Sequence, residues 1–309
     1  MFKPFSLFCL VPFLVVLSVP VLSQQADVLV HAEERLLEIF TPITTEAQDF
    51  LKMEEINSGF VEEFKKVLLL DSAFFFPFDS LVNIGKQTSP DGRVRVFTWN
   101  IPGPRMTQKY FGLVVLNQNG IVSVLELVDK REEFFQPHVE LGSAEKWFGA
   151  LYYEIVQQAV NDDTLYVLLG VDLNNAFSSK RIIDVLSVGK NGDIAFGKPI
   201  FRLKNHIMSR VVFEYSARAA MVLRWDESCN SIVFNSLVPL QPMFAGNYQY
   251  YVPDSMLNGF SFDGTYWNFV EDIDARNPIR ERNPLPTQPE KENFDPGFLY
   301  RSGRETGVQ

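Results

Sequence analysis

From residue 93 onward the chain repeats one device: a run of alternating apolar and polar side chains, then a turn with glycine after Asn or Asp. Asp91-Gly92 precedes residues 93–99, and Asn119-Gly120 separates 110–116 from 121–128. Asn191-Gly192 separates 181–188 from 194–201, and Asp263-Gly264 separates 260–262 from 266–268. Successive strand residues point to opposite faces, so period-two alternation fits a strand and not a helix. Glycine supplies the positive φ that a tight hairpin turn needs. Residues 210–216 and 219–225 are expected to form another pair, and 231–237 a further strand. The stretch 145–160 fits either a helix or a strand; its Trp, Tyr and Ile predict a strand through 150–157. The expected fold is mainly β: an antiparallel meander arranged as a sandwich, a bent sheet or a propeller-like array, with an N-terminal helical segment.

That helical segment follows a different period. Ala47, Phe50, Met53 or Ile56, Phe60, Phe64 and Val67 recur at three- and four-residue steps among Glu and Lys, the stripe of an amphipathic helix. A shorter helix over 28–40 is expected to stop before Thr41-Pro42, because proline has no N–H for the helix ladder. Thr44 or Thr45 is expected to cap the next helix, with acidic residues in its first turn.

The first 23 residues read as a separate unit. Lys3 precedes an apolar run over 5–22, and Val21 and Ser23 stand at the small-residue positions of a cut after Ser23. This is the layout of a secretory signal peptide. Pro12 and Pro20 interrupt the run, which is short for a membrane span of ~20 residues. Downstream, 67–78 is broken by Asp71, Ser72 and Pro77, so no transmembrane span is expected after cleavage. The expected location is secreted or periplasmic. Cleavage leaves Cys229 alone, so stability is expected to rest on a hydrophobic core and not on an internal disulfide. A net charge of −10 without a basic stripe argues against nucleic acid as a partner. Beyond Asp274, five prolines among alternating charges make a segment too poor in apolar surface to order itself. The chain thus divides into a signal peptide (1–23), a helical segment (24–78), an antiparallel β domain (79–276) and a Pro-rich tail (277–309).

Motifs for familiar chemistry are absent: no G-x-S-x-G, no P-loop, no H-E-x-x-H, no paired cysteines. His31, His138 and His206 are isolated. Residues 170–175 carry oxygen ligands at alternate positions, which makes Asp172 and Asn174 the metal candidates. As a calcium loop the segment fails, with Ala176, Phe177 and Ile183 where an oxygen ligand, glycine and glutamate belong. Glu154 and Glu214 sit among apolar neighbours in expected strands and are the catalytic candidates. Two such carboxylates would suit a glycosidase, with Trp99, Trp147, Trp225 or Trp267 as stacking platforms. The competing expectation is a structural ion pair with Lys180, Arg181 or Arg210. No cofactor is expected.

Several segments taken together resemble an uncharacterised family of exported proteins from Bacteroidetes-type bacteria. They are WFGALYYEIV (147–156), LLGVDLNN (168–175), KRIIDVLSVGKNGDIAFGKPIF (180–201), RVVFEYSARAAMVLRWD (210–226), GNYQYYVPD (246–254) and DARNP (274–278). The resemblance implies export and a β-rich architecture, and it transfers no catalytic residue. The functional expectation is an exported, non-catalytic envelope protein that binds a protein or glycan partner through its β domain. The alternatives are a carbohydrate-active hydrolase using paired carboxylates and a component of a cell-surface assembly.

Overall fold

The computed structural model describes residues 19–45, 49–118, 120–160 and 163–274. Most of the expected signal peptide, and the Pro-rich tail, lie outside the described residues. Helix α1 (Val19–Thr45) begins within the segment read as the signal and is followed by α2 (Phe50–Leu68).

Two expectations for the helices are corrected. Helix α1 continues through Pro42 instead of stopping before it. The hydroxyls around the proline bond back into the helix: Thr41 donates to the Leu37 carbonyl at 2.6 Å, and Thr44 and Thr45 donate to the Thr41 carbonyl at 3.0 and 2.9 Å. Burial of Phe40 and Ile43 holds the last turn in place. Thr44 and Thr45 therefore lie inside α1, and α2 is capped by Asp49, whose carboxylate accepts the Lys52 N–H at 2.9 Å. The first turn of α2 contains no acidic residue.

The β expectation is met, with three sheets in place of a single meander. Strands β1 (Gly85–Thr88), β2 (Val94–Pro102), β3 (Gln108–Gln118) and β4 (Ile121–Val128) form the first sheet in chain order. The second contains β5 (Gly142–Ser143), β6 (Leu151–Val160), β7 (Asp163–Asp172), β8 (Ser178–Val188) and β9 (Ile194–Phe196), ordered β5-β9-β8-β7-β6. The stretch that fitted either a helix or a strand is thus strand β6. The third contains β10 (Phe201–Leu203), β11 (His206–Met208), β13 (Leu223–Asp226), β14 (Ser231–Pro239), β15 (Tyr251–Phe262) and β16 (Trp267–Val270), ordered β11-β10-β16-β15-β14-β13. Strands β10 and β16 are parallel, so this sheet is mixed.

The expected pairing of 210–216 with 219–225 does not form. Strand β12 (Val211–Ser216) pairs with β8, and β13 pairs with β14. Ala217 and Arg218 stand where a tight hairpin would need positive φ, and neither adopts it. The turn closed by the Ala219 N–H on the Ser216 carbonyl (2.9 Å) leads the chain to the third sheet instead.

Alternation along the strands builds a stack of layers. Phe97, Trp99, Ile101, Leu113 and Val115 face the helices, where Phe60 and Phe64 meet them. Val94, Val96, Val114 and Leu116 face Leu168, Ile182 and Leu186 of the second sheet. The other face of that sheet, through Val167, Leu169, Ile183 and Val185, packs on Ile232, Phe234, Phe260 and Trp267 of the third. The two inner sheets are buried on both faces.

The β15–β16 turn carries a pH signature. The Asp263 carboxylate accepts the Tyr266 N–H and the Asn268 side-chain amide, both at 2.7 Å, and the Thr265 N–H at 2.9 Å. These donors, the Tyr266 N–H foremost, pull its pKa down to about 2 from an ordinary 3.8. Between those values the unfolded chain binds more protons than the folded one, so this stabilisation is complete above the upper value and fades toward the lower. In Asp263→Asn the urea midpoint should fall less steeply with acidification across that window. An unchanged pH slope would count against this role.

Candidate functional site

A cleft of about 1000 Å³ opens where the 129–138 segment, the β7–β8 loop and β12 meet. Its geometry starts with Asp172, the last residue of β7, which is fully buried. One oxygen of its carboxylate accepts the Tyr110 hydroxyl at 3.0 Å, Arg131 Nη1–H at 2.7 Å and the Asn174 N–H at 2.7 Å. The other oxygen faces Lys180 Nζ at 3.7 Å. The Tyr110 hydroxyl also accepts the Leu173 N–H at 2.7 Å. Burial, with the Asp172 charge beside it, pushes the Tyr110 phenol far above its ordinary pKa. The ring therefore stays neutral and works as a structural donor.

Arg131 is held on every side. It donates to Asp172 and to the Gln108 carbonyl, lies 3.5 Å from Asp129, and stacks 4.6 Å from the Tyr110 ring centroid. Asp129 accepts the Tyr110 N–H at 3.0 Å and the Arg131 N–H at 3.2 Å. Burial raises the Asp129 pKa, and Arg131 opposes the rise. Gly149 is required here by close approach: a Cβ would lie 2.6 Å from the Asp129 carboxylate.

A relay extends from this cluster along the cleft. The Asn174 side-chain amide donates to the Ser178 hydroxyl at 2.7 Å, and that hydroxyl donates to Glu214 at 2.6 Å. Glu214 stands opposite Lys180 in the β12–β8 register. The opposite wall is fastened by Arg210, which is fully buried between the rings of Phe134 and Phe148 with its centre 5.1 Å from each. It donates to Asp184 at 2.7 Å and to the carbonyls of Pro137 at 3.1 Å and Glu140 at 3.4 Å. His138, on that wall, has Nδ1 3.2 Å from the Arg210 carbonyl, and burial holds its pKa below the ordinary value.

Three of the four residues singled out from the sequence therefore converge: Asp172, Asn174 and Glu214. Glu154 does not join them. Across the sheet Glu154 pairs with Leu169, Leu169 with Ile183, and Ile183 with Val211. Glu214 lies an odd number of residues beyond Val211, which puts it on the opposite face. Three strand spacings alone separate the two glutamates by about 14 Å, beyond the ~5–9.5 Å that glycosidase carboxylates need. The Glu154 carboxylate accepts the Trp225 N–H at 2.9 Å, and burial raises its pKa.

The competing ion-pair expectation is also corrected for Glu214, whose bonded partner is the Ser178 hydroxyl and not Lys180, Arg181 or Arg210. For Asp172, one oxygen is committed to Arg131, Tyr110 and the Asn174 N–H, and the other faces Lys180 at 3.7 Å; the Asn174 side-chain amide is turned to the Ser178 hydroxyl. Among the described residues no cluster of three or more His, Cys, Asp or Glu has metal-holding geometry. The tryptophans are dispersed: Trp99 lies in the helix-facing core, Trp147 between the first two sheets, and Trp225 and Trp267 in the third core. The aromatic walls of the cleft are instead Phe134, Phe148, Tyr248 and Tyr251.

No family model, no curated protein and no solved structure matches the chain.

Proposed function

We propose that this chain is an exported, non-catalytic envelope protein that binds a neutral polar ligand in the cleft of its β domain. The observation that carries the reading is how the charges in the cleft are disposed. Arg131 sits between Asp129 and Asp172 inside the wall and leaves one carboxylate charge in excess, which Lys180 faces at 3.7 Å; Lys109 pairs with Glu54, and Lys130 pairs with Glu133. Among the described residues Glu214 keeps one oxygen uncommitted and Lys180 has only its distant contact with Asp172, while burial disfavours the charged form of His138. Carboxylate acceptors at Glu214 and Glu132, one cationic donor at Lys180 and aromatic walls suit hydroxyl-bearing rings such as sugar units, which present a flat apolar face and polar edges. Export rests on the layout of residues 1–23 and on the resemblance to an exported bacterial family. Paired-carboxylate hydrolysis is not favoured, because Glu154 and Glu214 occupy opposite faces of their sheet.

The experiment is a calorimetric titration of the exported form, residues 24–309, with neutral oligosaccharides and, in parallel, uncharged tripeptides. The expected result is saturable binding of an oligosaccharide that is recovered intact by mass spectrometry. Turnover of the titrant, or no binding across the oligosaccharides, would contradict the reading. Binding of the tripeptides alone would reassign the ligand class.

A further inference from the structure

Three charged side chains stand in one row across the sheet beside the cleft. Asp172 of β7 is opposite Lys180 of β8, and Lys180 is opposite Glu214 of β12. Directly opposed residues carry their side chains on the same face, and opposite charges so placed attract one another. Lys180 is therefore expected to pair with both carboxylates. It pairs with one: Lys180 Nζ leans toward Asp172 Oδ2 at 3.7 Å, and among the described residues no ion pair joins it to Glu214.

Two features hold these charges apart. Asp172 Oδ2 is buried without a hydrogen-bond partner, so its field draws the ammonium to that side of the row. Glu214 is turned instead to its diagonal neighbour Ser178, whose hydroxyl donates to Oε1 at 2.6 Å. That hydroxyl has its direction set. The Asn174 side-chain amide donates to it at 2.7 Å, which leaves its single proton for Glu214. Ser178 is buried, and its N–H and the Phe177 N–H are bonded to the Asn175 side-chain oxygen at 3.2 and 2.8 Å. Asn174 is fixed in turn, with a left-handed φ of 47° and its N–H on Asp172 at 2.7 Å.

We propose that Ser178 is a positioning residue that keeps Glu214 from closing onto Lys180. An acceptor and a cationic donor then stay side by side and unpaired, ready for a ligand hydroxyl that donates to the one and accepts from the other. Were the two paired, a ligand would first have to break them apart, and that cost would subtract from its affinity. The role in binding rests on the cleft being the ligand site. The separation of the charges is a property of the free protein and is tested without ligand.

The test is the crystal structure of Ser178→Ala in residues 24–309, with titrations of the same variant. Without the hydroxyl, the Glu214 carboxylate is expected to swing within hydrogen-bonding distance of Lys180 Nζ. The titrants are cellotetraose, maltotetraose and xylotetraose. For whichever of them wild type binds, Ser178→Ala should lose about tenfold in affinity, the scale of a lost charge-assisted hydrogen bond. Lys180→Met should cost less in the Ser178→Ala background than in wild type, because the new pair already withdraws the ammonium. Ser178→Thr, which keeps the hydroxyl, should restore both geometry and affinity. Should Ser178→Ala not fold, Asn174→Gly is read in the same way: it suits the left-handed backbone, keeps the N–H on Asp172 and releases the hydroxyl. Glu214 still apart from Lys180 in the variant, or affinity equal to wild type, would overturn the proposal. If wild type binds none of the three titrants while Glu214 closes onto Lys180 in Ser178→Ala, the cleft reading fails and the positioning role of Ser178 stands.

Discussion

Replacing Arg210 by methionine is expected to destabilise the protein by about 3–5 kcal/mol, the cost of leaving one member of a buried ion pair without its partner. Arg210 and Asp184 are both fully buried and meet at 2.7 Å. The pair does not stand alone. The Tyr152 hydroxyl approaches the same Asp184 oxygen at 3.4 Å and accepts the Trp147 indole N–H at 3.0 Å. Arg210 also ties down the carbonyls of Pro137 and Glu140 on the cleft wall. Methionine keeps some of the packing between Phe134 and Phe148 but none of the donors. Urea unfolding should show the midpoint drop. The double variant Arg210→Met/Asp184→Leu should recover part of it, because removing both charges also removes their desolvation cost. If the double variant is as unstable as the sum of the two singles, the pair is not the source of the effect.

The second large effect is at Arg95. Its guanidinium donates to the carbonyls of Phe74 and Phe76 at 2.6 Å, with longer contacts to Ala73 and Pro77, and lies 4.7 Å from the Phe97 ring centroid. No carboxylate forms an ion pair with it among the described residues. Burial lowers its pKa to about 10, so it remains charged at neutral pH. The segment between α2 and β1 folds back over the helix-facing core without a strand partner for its carbonyls. Two cations serve in place of one: Arg95 takes those at 73–77, and Lys86 takes those of Phe78 and Leu81 at 3.0 and 2.8 Å. Arg95→Met leaves the buried Phe74 carbonyl and the part-buried Phe76 carbonyl without this donor, at about 1–3 kcal/mol for a buried group, so a loss of about 2 kcal/mol or more is expected. Arg95→Lys should also be destabilising, since an ammonium cannot span the carbonyls as the planar fork does. Hydrogen exchange should report faster opening of 73–84 in both variants. Wild-type stability in Arg95→Met would show that water satisfies these carbonyls equally well.

These two arginines mark the limit of what the sequence makes legible. Alternation with Asn-Gly and Asp-Gly turns correctly placed β3 with β4 and β15 with β16, because those pairings are local and the turn residues force them. Alternation alone would put the polar Arg95 on a solvent-facing side, whereas the helices cover one face of β2 and the second sheet covers the other. The β12–β8 pairing links strands distant in sequence, and no local signal encodes it. Pro42 looked like a helix stop because it withholds an N–H, whereas the burial of Phe40 and Ile43 that holds the last turn is a tertiary effect.

Legibility of the cleft was likewise uneven. Asp172 and Asn174 stood out through their spacing, and Glu214 through its apolar surroundings. Their surroundings were not legible, since a buried carboxylate looks the same in sequence whether it awaits a metal or already faces an arginine. Arg131 and Lys180 became visible as its partners only once β7, β8 and the 129–138 segment were in register. Glu154 had the same sequence signature as Glu214, and only the strand register put it on the far face.

That contrast between two glutamates gives the most direct test. The oligosaccharide that binds wild type is titrated into Glu214→Ala, Lys180→Met and Glu154→Gln. Hydrogen bonds to charged groups contribute about 1.5–3 kcal/mol, so the first two variants should lose about ten- to a hundredfold in affinity. Glu154→Gln should bind as wild type does. Affinity unchanged in Glu214→Ala and Lys180→Met but lost in Glu154→Gln would place the ligand on the other face of the sheet and contradict the cleft as the binding site.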